Sequence, residues 1–225
     1  MKAWAISDTH GLHKTLKIPK GIDILIHAGD STNHYDIVRN QVEFDDFFSW
    51  LQGLDIKYKV IIAGNHDAWA TKKYNVDKLK DVGICYLEHN YCSINNKIIF
   101  GSPYTPTFNN WHFMKDRSKL GRYWDLVDHA DIVVTHGPPK GILDLSYNTD
   151  EGLEYCGDNS LNKMIERIKP EYHIFGHIHS NKHLCYNAGI FQSNEFPSTK
   201  FINASCIIDG QSGEEVKYHG HIIEI

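Results

Sequence analysis

The chain has 225 residues, 23% charged and 41% hydrophobic, with a formal net charge of −5. That length supports one substantial core, so a single α/β domain over residues 1–225 is the default, and the mildly acidic balance lacks the basic footprint of a duplex-DNA binder. No apolar run approaches the roughly 20 residues of a membrane span, residues 1–7 read as a strand rather than a leader, and five cysteines (Cys85, Cys92, Cys156, Cys185, Cys206) in odd number without C-x-x-C spacing fit a reducing cytoplasm.

In chain order, residues 3–6 and 22–27 are short, continuous apolar runs of the kind buried on both faces of a sheet. The first runs into Asp8-Thr9-His10 and the second into Gly29-Asp30. Val42, Phe44, Phe47, Phe48, Leu51 and Leu54 then recur at helical spacing, and a third run, 60–63, ends in Gly64-Asn65-His66-Asp67. Such βαβ units predict an open sheet with its chemistry beyond the carboxyl ends of the strands.

From residue 84 the pattern changes. Runs at 91–94 and 97–100 flank Asn95-Asn96, a hairpin-turn dipeptide. Residues 102–124 are aromatic and turn-rich, too long for a plain connection, and are expected to cover a site; 140–157 has the same look. Two further runs, 132–135 and 172–175, end in Thr135-His136-Gly137 and Gly176-His177-Ile178-His179. Between them, Leu161, Met164, Ile165 and Ile168 mark a helix before Pro170, capped by Asp158, Asn159 or Ser160. Short runs at 201–208, 215–218 and 222–225 predict a second, more antiparallel sheet.

Five polar clusters at five strand ends call for a function, because unpaired polar groups cost free energy away from water. Turn chemistry accounts for Asp, Asn and Gly but gives no reason for His10, His136, His177 and His179. Seven candidate ligands result: Asp8, His10, Asp30, Asn65, His136, His177 and His179. A mononuclear site uses about three protein ligands, whereas two ions about 3.5 to 4 Å apart would use all seven if one carboxylate is shared. Asp30 is the natural bridge. In an extended segment residues i and i+2 face the same side, which suits Asp8 with His10 and His177 with His179, and neighbouring glycines (Gly11, Gly29, Gly64, Gly137, Gly176) permit tight bends. Nitrogen and oxygen donors without thiolate favour Mn, Fe, Zn, Co or Ni over a structural zinc, with Mn placed first.

The remaining features have plainer readings. His13, His34, His89, His129, His173, His183, His219 and His221 read as structural or surface residues, while His112 sits in the aromatic segment where it could reach a substrate. Tyr104, Phe108, Trp111 and Trp69 suit core packing as well as base stacking. Cys156 and Cys206 read as inert thiols, and the lysines at 57, 59, 72 and 73 as solvated charges.

Taken in order, Asp-x-His, Gly-Asp, Gly-Asn-His-Asp, Thr-His-Gly and Gly-His-x-His resemble the calcineurin-like metallophosphoesterase superfamily across residues 8–179. Thr135-His136-Gly137-Pro138-Pro139, Gly101-Ser102-Pro103-Tyr104-Thr105-Pro106 and Ile202-Asn203-Ala204-Ser205 further resemble its metallophosphoesterase-domain-containing protein 1 and 2 branch. The resemblance implies a four-layer α/β/β/α sandwich of two mixed sheets flanked by helices. It also implies that Asp8, His10 and His179 hold one metal, Asn65, His136 and His177 the other, and Asp30 bridges them. His66 would face the substrate as the acid that protonates the leaving alkoxide. Protein phosphatases of the superfamily continue Gly-Asp with Asp-Arg-Gly, but here Ser31-Thr32-Asn33-His34 follows, which disfavours a protein substrate and leaves the orienting partner of His66 undefined.

The expected activity is a metal-dependent phosphodiesterase in which metal-activated hydroxide attacks a small phosphoester, such as a cyclic nucleotide or other nucleotide-derived diester. The competing readings are a phosphomonoesterase or nuclease of the same fold, and a non-catalytic metal-binding scaffold. No duplex nucleic acid and no membrane is expected as a partner, and the oligomeric state is left open.

Overall fold

The computed structural model describes residues 1–148, 152–181, 186–210 and 213–225. Cys185 and His183 lie outside the described residues.

Alternation along each strand decides the layering. In the strand Lys2–Ile6, Ala3 and Ala5 face one core while Trp4 and Ile6 face another. Ile24–Ala28 divides the same way, with Ile24, Ile26 and Ala28 on one side and Leu25 on the other. Successive side chains of a strand point to opposite faces, so a continuous apolar run serves two cores at once.

One sheet has the order His221–Glu224, Lys2–Ile6, Ile24–Ala28, Tyr58–Ile62, Cys85–Tyr86. All its pairings are parallel except the one with His221–Glu224. The other sheet has the order Gly189–Gln192, Lys200–Asn203, Tyr172–Phe175, Ile132–Thr135, Lys97–Ser102, Asn90–Ile94, parallel in the middle and antiparallel at both edges.

The two sheets pack face to face over Ala3, Ile26, Val60 and Ile62 from the first and Ile99, Val134, Ile174 and Ile202 from the second. On the outer face of the first sheet lie helices α1 (Ile37–Gly53) and α2 (Lys73–Asp81), through Phe44, Phe47, Leu51 and Leu79. On the outer face of the second lie α3 (Arg117–Trp124) and α4 (Asn159–Ile168), through Leu120, Trp124, Leu161, Met164 and Ile165. The result is the expected four-layer α/β/β/α sandwich of two mixed sheets.

Local chemistry explains the helix ends. Asp36 caps α1 by accepting from the amides of Val38 and Arg39, which starts the helix upstream of its apolar pattern and leaves Val38 and Val42 exposed. Asp158 is the cap of α4, and Lys169 closes it in the left-handed conformation (φ 49°) ahead of Pro170. Sequence periodicity does not reveal α2 and α3, since each buries only two side chains.

Three expectations about strands need correction. The run 201–208 is two strands, Lys200–Asn203 and Ile207–Gly210, and the second pairs with Gly213–Val216 and Ser180–Asn181 in a separate small sheet. The last strand, His221–Glu224, returns to the first sheet rather than extending the second. The second sheet is antiparallel only at its edges. At Asn95-Asn96 the hairpin is as expected, both residues having positive φ (51° and 64°).

Candidate metal centre

Asp8, Asp30 and Asn65 follow three adjacent parallel strands of the first sheet, and His136 and His177 follow two adjacent parallel strands of the second. The two rims are tied together where Ser7 bridges Ser205; within the first rim the Asp8 amide donates to the Gly29 carbonyl at 2.9 Å, and within the second the Gly176 amide donates to that of His136 at 3.0 Å.

Facing side chains form two groups that could each hold a metal ion, Asp8/His10/His179 and Asp30/His136/His177, with the donor atoms of each within 4.8 Å of one another. Asp30 stands between them, its Oδ2 3.1 Å from His136 Nε2 and 3.7 Å from His10 Nε2. Asn65 Oδ1 lies 3.0 Å from the same His136 nitrogen. All seven residues singled out by the sequence therefore converge.

They do not converge as extended i, i+2 pairs. Asp8, His10, Asp30 and His177 have φ of 51°, 43°, 54° and 68°, the left-handed region that non-glycine residues enter only at a cost. The strand ends in a tight turn, and that turn throws the donors inward. Two glycines make room for the carboxylates. A Cβ on Gly64 would lie 2.2 Å from Asp30 Oδ1, and one on Gly176 would lie 2.0 Å from Asp8 Oδ2.

The donors' electrostatics fit divalent cations. Burial acts to raise the carboxyl pKa of Asp8, but the hydrogen bond and charge of His179 outweigh it and hold Asp8 well below the usual carboxylate range. Asp30 is likewise held low, against burial, by the charges of His136 and His66. Burial opposes protonation of His136, yet the Asp30 carboxylate raises it to about 9; His179 is raised well above 6.5 by hydrogen bonds to Asp209 and Asp8. Burial and the neighbouring His136 push His177 down to about 3. Ionised carboxylates at depth, beside imidazoles whose protons they hold, are donors that a cation takes over by displacing protons.

The outer partners support this fit. His10 Nδ1 lies 3.2 Å from Asn33 Oδ1, His136 Nδ1 2.9 Å from the Ala28 carbonyl, and His179 Nδ1 2.9 Å from Asp209 Oδ1. An acceptor on the far nitrogen fixes ring orientation and tautomer, leaving Nε2 as the donor toward a metal. His177 is positioned through its backbone, its amide donating to both oxygens of Asp8 at 3.0 Å.

His66 stands beside the groups without belonging to either. Its ring lies 4.7 Å from that of His10 and 4.0 Å from that of Trp111, and its Nδ1 donates to the Asn33 carbonyl at 2.8 Å. That carbonyl is the orienting partner the sequence left undefined. Asp67, in the same cluster but given no role from sequence, accepts from Ser31, Thr32, Gly64 and Trp69 through six donors and fixes both the Asp30 loop and the Asn65 loop. Asp209 was also missed, although Ile207-Ile208-Asp209 repeats the pattern of a polar residue at the end of an apolar run.

The ambiguous aromatics separate. Trp69 is fully buried and stacked on Phe44, hence core. Trp111 lies on His66, Phe108 is 56% exposed with its ring 5.4 Å from His177, and Tyr104 stacks on His89. His112 stacks on Tyr35 at the rim. Of the histidines read as structural or surface, His13 and His173 are buried. The described cysteines, Cys85, Cys92, Cys156 and Cys206, are free, with burial pushing Cys206 up to about 12 and raising Cys156. No described helix is long and apolar enough to cross a membrane.

The family model for calcineurin-like phosphoesterases matches residues 1–181. Metallophosphoesterase domain-containing protein 1 of Homo sapiens is 30% identical over 233 residues, which cover 92% of this chain and 66% of that protein, so the chain spans just under two thirds of its length. A UPF0046 protein of Caenorhabditis elegans is 32% identical over 221 residues, covering 91% of this chain and 69% of the relative. A solved crystal structure superposes with a TM-score of 0.61 at 16% identity, covering 90% of this chain and 89% of the other, a likeness in fold. With its five clusters at five strand ends inside the matched region, the chain belongs to the calcineurin-like phosphoesterase family.

Proposed function

We propose that the chain, acting as one domain over residues 1–225, is a metal-dependent phosphodiesterase with a dinuclear centre. The observation that carries this reading is the pair of ligand groups, Asp8/His10/His179 and Asp30/His136/His177, with Asp30 between them. Asn65 completes the second group. Two divalent ions, manganese first among the candidates, would supply Lewis acidity toward the phosphoryl oxygens and a nucleophilic water near neutral pH.

The chain's own residues do the rest. Asp30 holds the two groups together, and its Oδ1 also accepts the His66 amide at 2.7 Å, which fixes the acid relative to the ligands. With Nδ1–H held by the Asn33 carbonyl, the imidazolium of His66 keeps its second proton on Nε2, from which it passes to the leaving alkoxide. Trp111 packs against one face of that ring, the two centroids 4.0 Å apart.

A small diester suits this arrangement better than a protein phosphoester. After Asp30 the chain presents Ser31 and Thr32, whose hydroxyls bond to Asp67, instead of a cation aimed at phosphate. A diester leaves a single negative charge, which two metals neutralise alone. Nucleotide-derived diesters, cyclic nucleotides among them, are the substrate class.

The test is a panel of bis-p-nitrophenyl phosphate, p-nitrophenyl phosphate, cyclic nucleotides and single-stranded DNA with Mn²⁺. Diesters are expected to be turned over fastest; a monoester hydrolysed far faster than every diester overturns the reading. His66→Ala is expected to keep its metal and lose about 10²- to 10⁴-fold in kcat, and Asp30→Ala to lose both metal and turnover. Retained turnover in the Asp30 variant refutes the dinuclear mechanism.

A further inference from the structure

A cavity of about 720 Å³ opens beside His177, and hydrolysis at the metal centre does not by itself require it. Among its lining residues are Phe108, Arg117, Lys140, Tyr147 and Tyr155. The volume lies within the roughly 300 to 1,000 Å³ of small-molecule sites.

The lining has two uncommon properties. Phe108, Tyr147 and Tyr155 leave 56%, 49% and 56% of their surface exposed on this one cleft, where aromatic side chains would ordinarily be covered. Among the described residues neither of its two cations forms an ion pair with a carboxylate, although the charge of Lys140 reaches Asp144. The ion pairs of lysine among the described residues involve Lys14, Lys73, Lys78 and Lys97, and Glu154 on the same wall pairs with neither Arg117 nor Lys140. Arg117 donates through Nη1 to the Gly157 carbonyl (2.6 Å) and through Nη2 to the Cys156 carbonyl (3.0 Å), neutral acceptors that fix the guanidinium and leave its charge in place.

The cleft is continuous with the metal centre. His177 is shared by both, and Phe108 stands 5.4 Å from its ring. An ester arm leaving a phosphoryl group at His177 on this side would pass Phe108 and enter the cavity that Arg117 and Lys140 also line.

We propose that this cleft is a subsite for a nucleotide arm of the substrate that carries its own terminal phosphate. The base stacks on Phe108, Tyr147 or Tyr155, and the terminal phosphate meets Lys140 and Arg117. The substrate class is then a linear 5′-phosphorylated dinucleotide or short oligonucleotide. A cyclic mononucleotide has one phosphate only, and the metals take it. The reaction consumes one water: a P–O bond to one nucleotide breaks, the new P–O bond forms to the water oxygen, and the leaving oxygen takes up a proton. This inference rests on the phosphodiesterase reading above.

The experiment compares kcat/KM of the full Mn²⁺-loaded chain for pApA, ApA, 3′,5′-cyclic AMP and bis-p-nitrophenyl phosphate. The expected result is a preference of about tenfold or more for pApA over ApA that shrinks as salt rises from 50 to 200 mM. Lys140→Ala and Phe108→Ala, both at exposed positions, are each expected to lower the ratio of kcat/KM for pApA to that for bis-p-nitrophenyl phosphate about tenfold, mainly through KM. Equal kcat/KM for pApA and ApA, or an unchanged ratio in both variants, overturns the subsite. No hydrolysis of bis-p-nitrophenyl phosphate by the parent protein overturns the phosphodiesterase reading itself, and the subsite with it.

Discussion

Replacing His173 by glutamine tests whether the outer face of the second sheet holds a histidine that must stay neutral. His173 is fully buried, between the rings of Phe175 (5.0 Å) and Phe201 (5.9 Å). Its Nε2 lies 2.8 Å from Thr135 Oγ1, whose own proton goes to the Gly137 carbonyl at 2.7 Å. The ring nitrogen must then be the donor, and Nδ1, buried without a hydrogen-bond partner, has nothing to receive a second proton's charge. Burial accordingly pushes the pKa down to about 3. The unfolded chain, near 6.5, binds a proton the folded one refuses, so stability is lost as pH falls below 6.5 and the loss levels off near 3. With about 1.36 kcal/mol per pKa unit, the loss from this one residue is roughly 2 kcal/mol at pH 5 and roughly 0.2 at pH 7. The glutamine amide keeps an N–H for Thr135 but does not titrate. Urea unfolding of EDTA-treated protein at pH 7 and pH 5 reads the effect, and the double difference cancels His27, also pushed down to about 3 and present in both proteins. The parent should lose about 2 kcal/mol more than His173→Gln between the two pH values. Equal losses would refute the buried-neutral assignment.

Two further outcomes follow from the centre's supports. Gly64→Ala and Gly176→Ala drive a methyl onto Asp30 and Asp8, so metal content after gel filtration and turnover should fall at least tenfold, whereas Gly53→Ala, with nothing within 4 Å of the new Cβ, should behave as the parent. Asp67→Ala strands six buried donors and should destabilise by about 3 kcal/mol or more in chemical denaturation; a loss under about 1 kcal/mol would show that the two loops hold their shape without it.

What could be read from the chain followed from regularity. Continuous apolar runs gave the five central strands, because burial on both faces leaves no polar position to interrupt them, and the histidines at their ends had no explanation in turn chemistry. The Asp158 cap and the Asn95-Asn96 turn were legible because side-chain chemistry there acts within a few residues. Long-range pairing was not. Nothing local says that His221–Glu224 crosses back to lie beside Lys2–Ile6, or that Asp209 reaches His179 across 30 residues. Helices α2 and α3 escaped because two buried side chains make no stripe. The i, i+2 argument chose the right residues on an incorrect geometry, since positive φ at Asp8, His10 and His177 cannot be inferred from residues that usually avoid it.

That strained backbone bears on why the supports are so extensive. Four donors sit in the left-handed region, each at a cost of about 1 to 3 kcal/mol, and Asp8 and Asp30 are ionised carboxylates taken out of water. Such a turn persists only where its surroundings over-determine it, and here they do. Asp67 gathers the Asp30 and Asn65 loops, the His177 amide locks onto Asp8, and Asn33 serves His10 through its side chain and His66 through its backbone. Asn33 thereby links His10, a candidate ligand, to His66, the proposed acid. In the chain segment where related protein phosphatases carry Asp-Arg-Gly, this protein spends its residues on orientation, and its cations stand instead across the cleft at Arg117 and Lys140. On the proposed reading, discrimination between substrates would fall to the ester arm that enters that cleft, since metal groups alone would treat every phosphodiester alike.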